Sequence, residues 1–470
     1  MNSLEQYLCK HEARFLEELQ AWLRIPSIST HPEHQADMDR AAQFAVAQLH
    51  MCGFDQVQLL PTTGHPLVYA EWLKAVHKPT LLIYGHYDVQ PAEPLDQWIS
   101  PPFEPTIRGD QLYARGASDD KGQVMVVLKA LEALMQISGE FPVNLRVLLE
   151  GEEESGGGAI EEYVRASPER LACDAVFICD TGMATPETPA LIYGLRGILY
   201  VEMELQGAKQ DLHSGLYSGI APNPFHALAS IILGLQDQQG HLCIPGLFDH
   251  ASQPSLWEEQ FWMQDPYHME ELLLQEIGRS QFTGEAAYPP LQRLVARPTL
   301  EVHGIRGGFI EKGAKTVIPA TVMAKMSLRL PPELNLTSSD VYALLERYVK
   351  DLTPVGISVE VRKHHGGEAL LLPLDAAPLQ LALVALKEVF GQDPALLRMG
   401  GTLPVAVLFH EVLAVPIVMM GFSLPDDHLH APNEKYGLSQ FEKGMRVVAS
   451  FLQKLGAWET THQEEHDAQA

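Results

Sequence analysis

Apolar runs and segments of helical periodicity alternate along much of the chain. Leu81–Tyr84, Ala175–Cys179 and Val412–Met420 are apolar over the length expected for buried strands, and Val143–Leu149 is largely so. Helix-period segments separate these runs, and such alternation is typical of an α/β fold in which helices flank a central sheet. The helix patterns are an amphipathic N-terminal segment, Gly122–Met135, Leu379–Phe390 and Gln440–Leu455.

The middle of the chain has a different strand pattern. Tyr200–Leu205 and Val322–Leu330 alternate apolar with polar residues, as strands with one solvated face do. Because the motifs described below all lie outside this region, we predict a catalytic domain with a mixed central sheet, residues 1–194 and 367–470, and an inserted α+β domain, residues 195–366. The inserted region also has helix patterns at Pro224–Gln236 and Asp340–Leu352 and a turn-rich stretch at Gly240–Pro298.

Composition limits the choice of partners and compartment. A net charge of −27 makes nucleic acid and anionic membrane surfaces poor partners. Five cysteines, an odd number without paired metal spacing, predict reduced thiols in a cytoplasmic protein. The N-terminus lacks a signal-peptide pattern and no apolar run is long enough to span a bilayer, so we expect no membrane association. The polar tail Glu459–Ala470 is predicted to be frayed.

Five short stretches rich in acidic residues and histidine lie at or shortly after the ends of apolar runs. In open α/β sheets, ligands bind beyond the carboxyl ends of the strands, so these stretches are expected to meet at one site. Imidazole and carboxylate together hold Zn²⁺ or Mn²⁺, and a metal pair activates water and polarises an amide. The pattern predicts a metallohydrolase. The stretches are Tyr84–Pro91, Arg115–Gly122, Glu150–Gly157, Ile178–Thr181 and His428–Lys435.

Taken singly, these motifs also have ordinary structural interpretations. His86 and Asp88 face the same side if they lie on a strand, but a histidine near a sheet end needs no ligand. Asp119 precedes a predicted helix, and this motif alone favours a role as helix N-cap. The acidic run Glu150–Glu154 would, in isolation, be a solvated turn. Alternatively, one of its carboxylates is a metal ligand and a neighbour is the general base.

Together, and in this order, the motifs resemble the M20 family of co-catalytic metallopeptidases, from about Leu4 to Leu455. Within that family the chain looks most like the dipeptidase branch, which includes carnosinase-like and cytosolic non-specific dipeptidases. The resemblance implies a zinc-peptidase-like catalytic domain and an inserted dimerisation and lid domain. Supporting stretches are Gln210–Gly215 (QDLHSG), Gly313–Pro319 (GAKTVIP), Ser327–Leu330 (SLRL) and Arg398–Pro404 (RMGGTLP).

The resemblance also implies roles for individual residues of the five motifs. Two divalent ions per subunit are implied, with Zn²⁺ as the first expectation and Mn²⁺ or Co²⁺ as alternatives. Asp88 would orient the imidazole of His86, and Glu153 would be the general base. The implied metal ligands are His86 and Asp180 for one ion, Glu154 and His430 for the other, and Asp119 as a bridge between the two.

Substrate-binding residues are implied in and near the inserted domain. The expected substrate is a small peptide with a free C-terminal carboxylate, which Arg329 would hold. In relatives the histidine at the position of His213 reaches into the partner subunit's site, so a homodimer through the inserted domain is implied. The full implied set is His213, Thr316, Arg329, Gly400, Gly401 and Thr402.

The expected activity is therefore that of a dinuclear metal-dependent dipeptidase, with Glu153 deprotonating a metal-bridging water. An alternative is an N-acyl amino acid deacylase of the acetylornithine or succinyl-diaminopimelate type, since both substrates present an amide beside a carboxylate. Asp180 and the SLRL and GAKTVIP stretches favour the dipeptidase. A third alternative is an inactive binding or scaffolding protein, but such proteins usually lose the base or a ligand, and all are present here.

Overall fold

A computed structural model describes residues 3–458, so the predicted fraying of Glu459–Ala470 concerns residues outside the described range. None of the described helices is both long and apolar enough to cross a membrane. The α-helices are α1 (Ser3–Leu23), α2 (Gln35–Met51), α3 (Lys121–Ser138), α4 (Ala159–Ala166), α5 (Ser214–Tyr217), α6 (Pro224–Leu235), α7 (Leu256–Gln264), α8 (Met269–Ile277), α9 (Pro290–Ala296), α10 (Ser338–Leu352), α11 (Ala377–Phe390), α12 (Pro404–Leu413) and α13 (Leu438–Ala457).

The strands of the described chain vary from two to ten residues in length. They are β1 (Gln56–Leu60), β2 (Leu67–Trp72), β3 (Thr80–His86), β4 (Thr106–Arg108), β5 (Gln111–Tyr113), β6 (Asn144–Glu150), β7 (Ala175–Ile178), β8 (Ala190–Leu195), β9 (Gly197–Gln206), β10 (Leu212–His213), β11 (Thr299–Gly307), β12 (Val317–Ile318), β13 (Thr321–Leu330), β14 (Ser358–Gly367), β15 (Leu370–Leu371), β16 (Ala395–Met399), β17 (Ile417–Met419) and β18 (Lys435–Gly437).

Contacts within the chain divide it into two compact units. The first contains the residues up to Tyr193, the segment Leu372–Leu397 and the residues from Leu408 onwards. The second contains Gly194–Leu371 together with Arg398–Val407. The inserted domain that we expect from the sequence stays a prediction, and its expected bounds did not include Arg398–Val407.

A mixed sheet forms the centre of the first unit. Its strands run in the order β1-β2-β6-β3-β7-β17-β8. The central strands β6, β3, β7 and β17 are parallel, whereas the pairs nearer β1 and β8 are antiparallel. The central strands are almost wholly buried, as expected where both faces of a parallel sheet are covered. Helix α3 packs against α1 and α13. The predicted mixed α/β class is confirmed.

Most elements predicted for this unit are confirmed within a few residues, but one strand prediction is wrong. Val412–Met420 is not a single strand, because α12 continues to Leu413 and β17 contains only Ile417–Met419. Between them Ala414 has a left-handed backbone with φ of 53°. A short apolar run does not distinguish the end of a buried helix from a buried strand, so its periodicity could not separate the two.

The second unit is built on an antiparallel sheet of four strands in the order β11-β13-β9-β14. Apolar residues on alternate positions of β9 and β13 form a core with residues of α6 and α10. This arrangement confirms the strands predicted at Tyr200–Leu205 and Val322–Leu330. The stretch Gly240–Pro298, expected to be rich in turns, also contains the three short helices α7, α8 and α9.

Candidate metal centre and active site

The carboxyl ends of three neighbouring parallel strands bring the motifs of the first unit together. His86 ends β3 and lies directly opposite Glu150, the last residue of β6. On the other side of β3, strand β7 ends at Ile178, and Asp180 follows two residues later. Parallel strands present their carboxyl ends at one edge of a sheet, so the sequence expectation of a shared location follows from the topology.

His86, Asp119 and Asp180 form a first group of potential metal ligands. One ligand atom from each lies within 4.8 Å of the others. The Nε2 atom of His86 is 3.1 Å from Asp119 Oδ1 and 3.9 Å from Asp180 Oδ2. His86 is fully buried, so its imidazole is held by the protein rather than by solvent.

Asp119 belongs to a second group as well, with Glu154 and His430. The Nε2 atom of His430 is 2.8 Å from Asp119 Oδ2 and 3.2 Å from Glu154 Oε2. The two carboxylate oxygens of Asp119 therefore face two different imidazoles. The interpretation of Asp119 as a helix cap is wrong: Asp120 is the N-cap residue of α3, and its side chain makes no capping hydrogen bond.

The pKa values of the residues in these two groups indicate a site that favours bound cations. Burial raises the pKa of Asp180 well above its ordinary value, and the carboxylate of Asp120 adds to the increase. Hydrogen bonds to Asp119 and Glu154 raise the pKa of His430 to about 10. The cluster of buried carboxylates thus attracts positive charge, and a divalent cation held by imidazole and carboxylate would supply it.

Asp88, the residue expected to orient His86, is fully buried beside it. Its backbone carbonyl lies 3.1 Å from Nδ1 of His86 and accepts the hydrogen bond from the ring, whereas its Oδ1 atom lies 3.3 Å from the same nitrogen. Its Oδ2 atom accepts hydrogen bonds from the hydroxyl of Ser29 at 2.7 Å and from the backbone N–H of Glu154 at 3.1 Å. Acceptors on the Nδ1 side of the ring fix the orientation and tautomer of a ligating histidine and leave Nε2 to bind the cation.

Glu153 begins a short 3₁₀ helix, Glu153–Ser155, which is separated from the end of β6 by Gly151 and Glu152. Burial raises its pKa to about 7; the carboxylates of Glu154 and Asp119 add to this increase, whereas His86 opposes it. A carboxyl group that exchanges its proton near neutral pH is suited to general acid–base catalysis. The general-base assignment is an inference from this environment.

The acidic run around Glu153 is not a solvated turn. Glu150 is 2% exposed and accepts a hydrogen bond from the hydroxyl of Tyr84 at 2.5 Å. Glu152 turns the other way and accepts from the backbone N–H of His65 at 3.3 Å. Each of these two carboxylates therefore has a hydrogen-bond donor of its own, although the charge of Glu153 still contributes to the raised pKa of Glu150.

In the second unit, Arg329 lies in a small hydrogen-bonded network with the Gly400–Thr402 loop. Its Nη1 atom donates to the hydroxyl of Thr402 at 2.8 Å, and that hydroxyl donates to the backbone carbonyl of Arg196 at 2.6 Å. Arg196 Nε donates to the carbonyl of Gly400 at 2.8 Å. Burial lowers the pKa of Arg196 to about 10, and the charge of Arg329 contributes. The carboxylate of Glu301 partly offsets this decrease. Within residues 3–458 neither guanidinium forms a direct ion pair with a carboxylate, which suits the binding of an external anion.

His213 and Thr316 form a separate group in the second unit. His213 ends β10, which pairs with β12, and the backbone N–H of Ser214 donates to the carbonyl of Thr316 at 3.0 Å. The Nδ1 atom of the exposed His213 accepts a hydrogen bond from the N–H of Gly215 at 2.9 Å. The neutral imidazole therefore carries its proton on Nε2, where it can be donated outward.

Four residues that support these groups are absent from the sequence prediction. Gln90 lies within the first motif and donates from Nε2 to Glu154 Oε2 at 2.8 Å. Glu434 lies within the last motif and accepts hydrogen bonds from the backbone around Asp119. Their positions within the motifs could have indicated a role for both residues. Arg196 and Ser29 lie outside the motifs, and only tertiary contacts reveal them.

Two potential ligand groups share the carboxylate of Asp119, and the half-buried carboxyl group of Glu153 nearby has a pKa of about 7. This combination is typical of a metal-dependent hydrolase. Comparison with known proteins identifies the family. The sequence profile of Peptidase family M20/M25/M40 matches residues 82–454. The chain belongs to this family and is a peptidase, which confirms the resemblance found in the motifs.

Individual relatives match along nearly the full chain. Cys-Gly metallodipeptidase dug1 of Schizosaccharomyces pombe is 31% identical over 97% of this chain and 98% of its own length. Beta-Ala-His dipeptidase of Homo sapiens is 31% identical over 95% of this chain and 91% of its own. The crystal structure of the M20 family metallo-carboxypeptidase Sso-CP2 from Sulfolobus solfataricus superposes with a TM-score of 0.84 at 31% identity, over 94% and 99% of the two chains.

Proposed function

We propose that this protein is a dinuclear metal-dependent dipeptidase that hydrolyses dipeptides with a free C-terminal carboxylate. The observation that carries the proposal is the position of Asp119, whose two oxygens face the imidazoles of His86 and His430. A single carboxylate shared by two ligand groups suits a pair of cations better than one. The metallodipeptidases among the relatives support dipeptides as the substrate class.

Zn²⁺ is the proposed metal, with Mn²⁺ or Co²⁺ as alternatives that the same ligands would accept. Each ion would have one imidazole and carboxylate oxygens, a ligand set that borderline divalent ions share. His86 and Asp180 would hold one ion, Glu154 and His430 the other, with Asp119 between them.

The proposed reaction depends on a proton relay by Glu153 and on fixed positive groups. When bound, divalent cations supply Lewis acidity that polarises the scissile carbonyl and acidifies the attacking water. Glu153 takes a proton from that water and returns it to the leaving amine. Arg329, held by Thr402, binds the terminal carboxylate of the substrate, and backbone N–H groups of Gly400 and Gly401 assist it.

We further propose a homodimer in which His213 of one subunit acts in the site of the other. Its Nε2–H is exposed and directed by the bond that Nδ1 accepts, so it can donate to the oxyanion of a neighbouring site. Large apolar side chains near it in sequence are exposed, among them Leu216 at 73% and Ile220 at 80%. Exposed apolar surface of this kind supports a protein interface in the proposed dimerisation and lid domain.

A cytoplasmic location remains part of the proposal, and five free thiols support it.

A substrate panel tests the proposal. Purified protein is stripped of metal, reloaded with Zn²⁺, Mn²⁺ or Co²⁺, and assayed on a dipeptide, the same dipeptide with an amidated C-terminus, and an N-acetyl amino acid. We expect the free dipeptide to be cleaved fastest and the amide poorly, since the amide offers Arg329 no carboxylate. Preference for the N-acetyl amino acid would favour the deacylase instead. Two bound ions without hydrolysis of any substrate would indicate an inactive family member.

A further inference from the structure

The segment Ile25–Ser29 follows α1 and runs beside the end of β3. The backbone N–H of Val89 donates to the carbonyl of Ser27 at 2.9 Å, and the hydroxyl of Ser27 donates to the carbonyl of Tyr87 at 2.7 Å. The buried ammonium of Lys121 donates to the carbonyl of Ile25 at 2.7 Å. The segment is therefore tied to the His86 motif and to the Asp119 motif, although it precedes the region matched by the family profile.

Ser29 is the residue of this segment that touches the candidate metal centre through its side chain. Its hydroxyl donates to Asp88 Oδ2 at 2.7 Å, and the opposite oxygen of Asp88 lies 3.3 Å from Nδ1 of His86. The carbonyl of Ser29 lies 3.2 Å from Nε2 of His65, which holds the residue from its other side. The hydrogen bond of Nδ1 itself goes to the backbone carbonyl of Asp88 at 3.1 Å, so Asp88 faces the ring of His86 with both its carbonyl and its carboxylate. Ser29 thus contacts the residue that lies against the Nδ1 side of a candidate ligand.

Among residues 3–458 the hydroxyl of Ser29 is one of two donors to Asp88 Oδ2, and Asp88 is fully buried. The other donor is the backbone N–H of Glu154, which follows from the path of the chain and cannot by itself fix the rotation of the carboxylate. Hydrogen bonds to an ionised carboxylate are roughly twice as strong as neutral ones. Removing the hydroxyl would therefore leave the Asp88 carboxylate with less compensation and more rotational freedom.

We propose that Ser29 is a positioning residue of the metal centre. Its hydroxyl fixes the rotamer of Asp88, so that Oδ1 stays 3.3 Å from Nδ1 of His86 and supports the ring orientation that the backbone carbonyl of Asp88 also holds. Nε2 of His86 would then be the atom that binds a cation. The inference rests on the proposed function in that it takes His86 as a metal ligand. Partners behind a ligand typically change metal affinity or activity by about 10- to 100-fold when removed.

The experiment measures Zn²⁺ affinity by competition with a chelator, together with the melting temperature of the metal-free protein. Ser29→Ala is expected to weaken the binding of one ion by about tenfold. Ser29→Thr keeps the hydroxyl and should restore most of the affinity, and Ser29→Cys, a weaker donor, should be intermediate. Ser27→Ala is the matched control, because it removes a bond of the same length to a backbone carbonyl. It should lower the melting temperature and leave Zn²⁺ affinity nearly unchanged.

The outcomes separate this inference from the proposed function. Wild-type protein that binds no Zn²⁺ would refute the metal centre itself. If the wild type binds two ions and Ser29→Ala binds them equally tightly, only the role of Ser29 is refuted. The role is also refuted if Ser27→Ala and Ser29→Ala weaken Zn²⁺ binding to the same extent, since the effect would then be a general loosening of the segment. If Ser29→Ala does not fold, the Zn²⁺ affinities of the wild type, Ser29→Thr and Ser29→Cys decide the question. Affinity that decreases in this order supports the role of Ser29, and equal affinities refute it.

Discussion

Glu434 accepts a hydrogen bond from the backbone N–H of Asp119 at 3.1 Å, although the two residues are 315 positions apart. The same carboxylate oxygen accepts from the N–H of Ser118 at 2.9 Å. Its other oxygen accepts from the N–H of Gly116 at 2.9 Å and from Arg115 Nη1 at 2.8 Å. One buried side chain thereby joins the loop that carries Asp119 to the loop that carries His430.

Glu434→Gln should therefore destabilise the protein strongly. The new amide group would face backbone N–H donors, and Arg115, which is 1% exposed, would lose its charged partner. Breaking a buried ion pair on one side typically costs about 3–5 kcal/mol. Urea unfolding of the metal-free protein measures the change. Glu104→Gln, in an exposed ion pair with Arg24, is the control and should change the free energy of unfolding by less than about 1 kcal/mol. Equal effects of the two substitutions would show that Glu434 does not stabilise the protein by joining the two loops.

How much of this architecture the sequence could predict depends on the range of the interactions. Strand β3 and helix α3 were predictable, because local periodicity marks them. The convergence of His86 and Asp180 was also predictable, because both follow parallel strands. The hydroxyl of Ser29 was not, since its contact with Asp88 depends on how a segment without a motif packs against β3. The end of α12 was missed because neighbouring apolar residues suit a helix and a strand equally.

Removing a candidate ligand should reduce metal content without unfolding the protein. Elemental analysis of the wild type should show about two divalent ions per chain, and His430→Ala should retain about one. The metal-loaded variant should also melt at a lower temperature, because Asp119 and Glu154 would face each other with less compensating charge. His226→Ala, at an exposed position on α6, is the matched control and should keep both ions. Full occupancy in His430→Ala would contradict the second ligand group.

Glu153→Gln should keep the metal ions and lose most of the activity. Loss of general acid–base help typically reduces kcat by about 10²–10⁴-fold. In the wild type kcat should rise with pH as Glu153 loses its proton. The midpoint of this acid limb should lie at or below pH 7, because the pKa of Glu153 is about 7 without metal and bound cations lower it. The variant should lack this limb. Glu161→Gln, exposed on α4, controls for a change of surface charge. A variant with near-normal kcat would contradict the assignment of the base.

The same substitution should change how the stability of the metal-free protein depends on pH. The pKa of Glu153 is raised from 4.5 to about 7 on folding, so the unfolded chain releases this proton first as pH rises. The folded wild type is therefore destabilised progressively between pH 4.5 and 7, and the penalty is fully present above pH 7. Glu153→Gln removes it. The melting temperature of the variant should exceed that of the wild type at pH 8, and the difference should shrink towards pH 4.5. A difference independent of pH would contradict the raised pKa.

The last prediction concerns the exposed imidazole of His213, whose Nδ1 is occupied by the N–H of Gly215. If Nε2–H serves the site of the partner subunit, His213→Ala should reduce kcat by about 10²–10³-fold while metal content stays normal, as for the loss of one oxyanion donor. A merely structural histidine would instead change stability. Neither result alone shows in which subunit the imidazole acts.

Mixing two inactive variants decides between the subunits. In a heterodimer of His213→Ala with Glu153→Ala, the site that keeps Glu153 receives the intact His213 of the other chain, so one of two sites is whole. Random exchange makes half of the dimers mixed, and activity should return to about a quarter of the wild-type value. Mixing either variant with itself is the control and should restore nothing. If subunit exchange is demonstrated by mass or fluorescence and activity does not return, or if the active protein sediments as a monomer, His213 does not act across the interface.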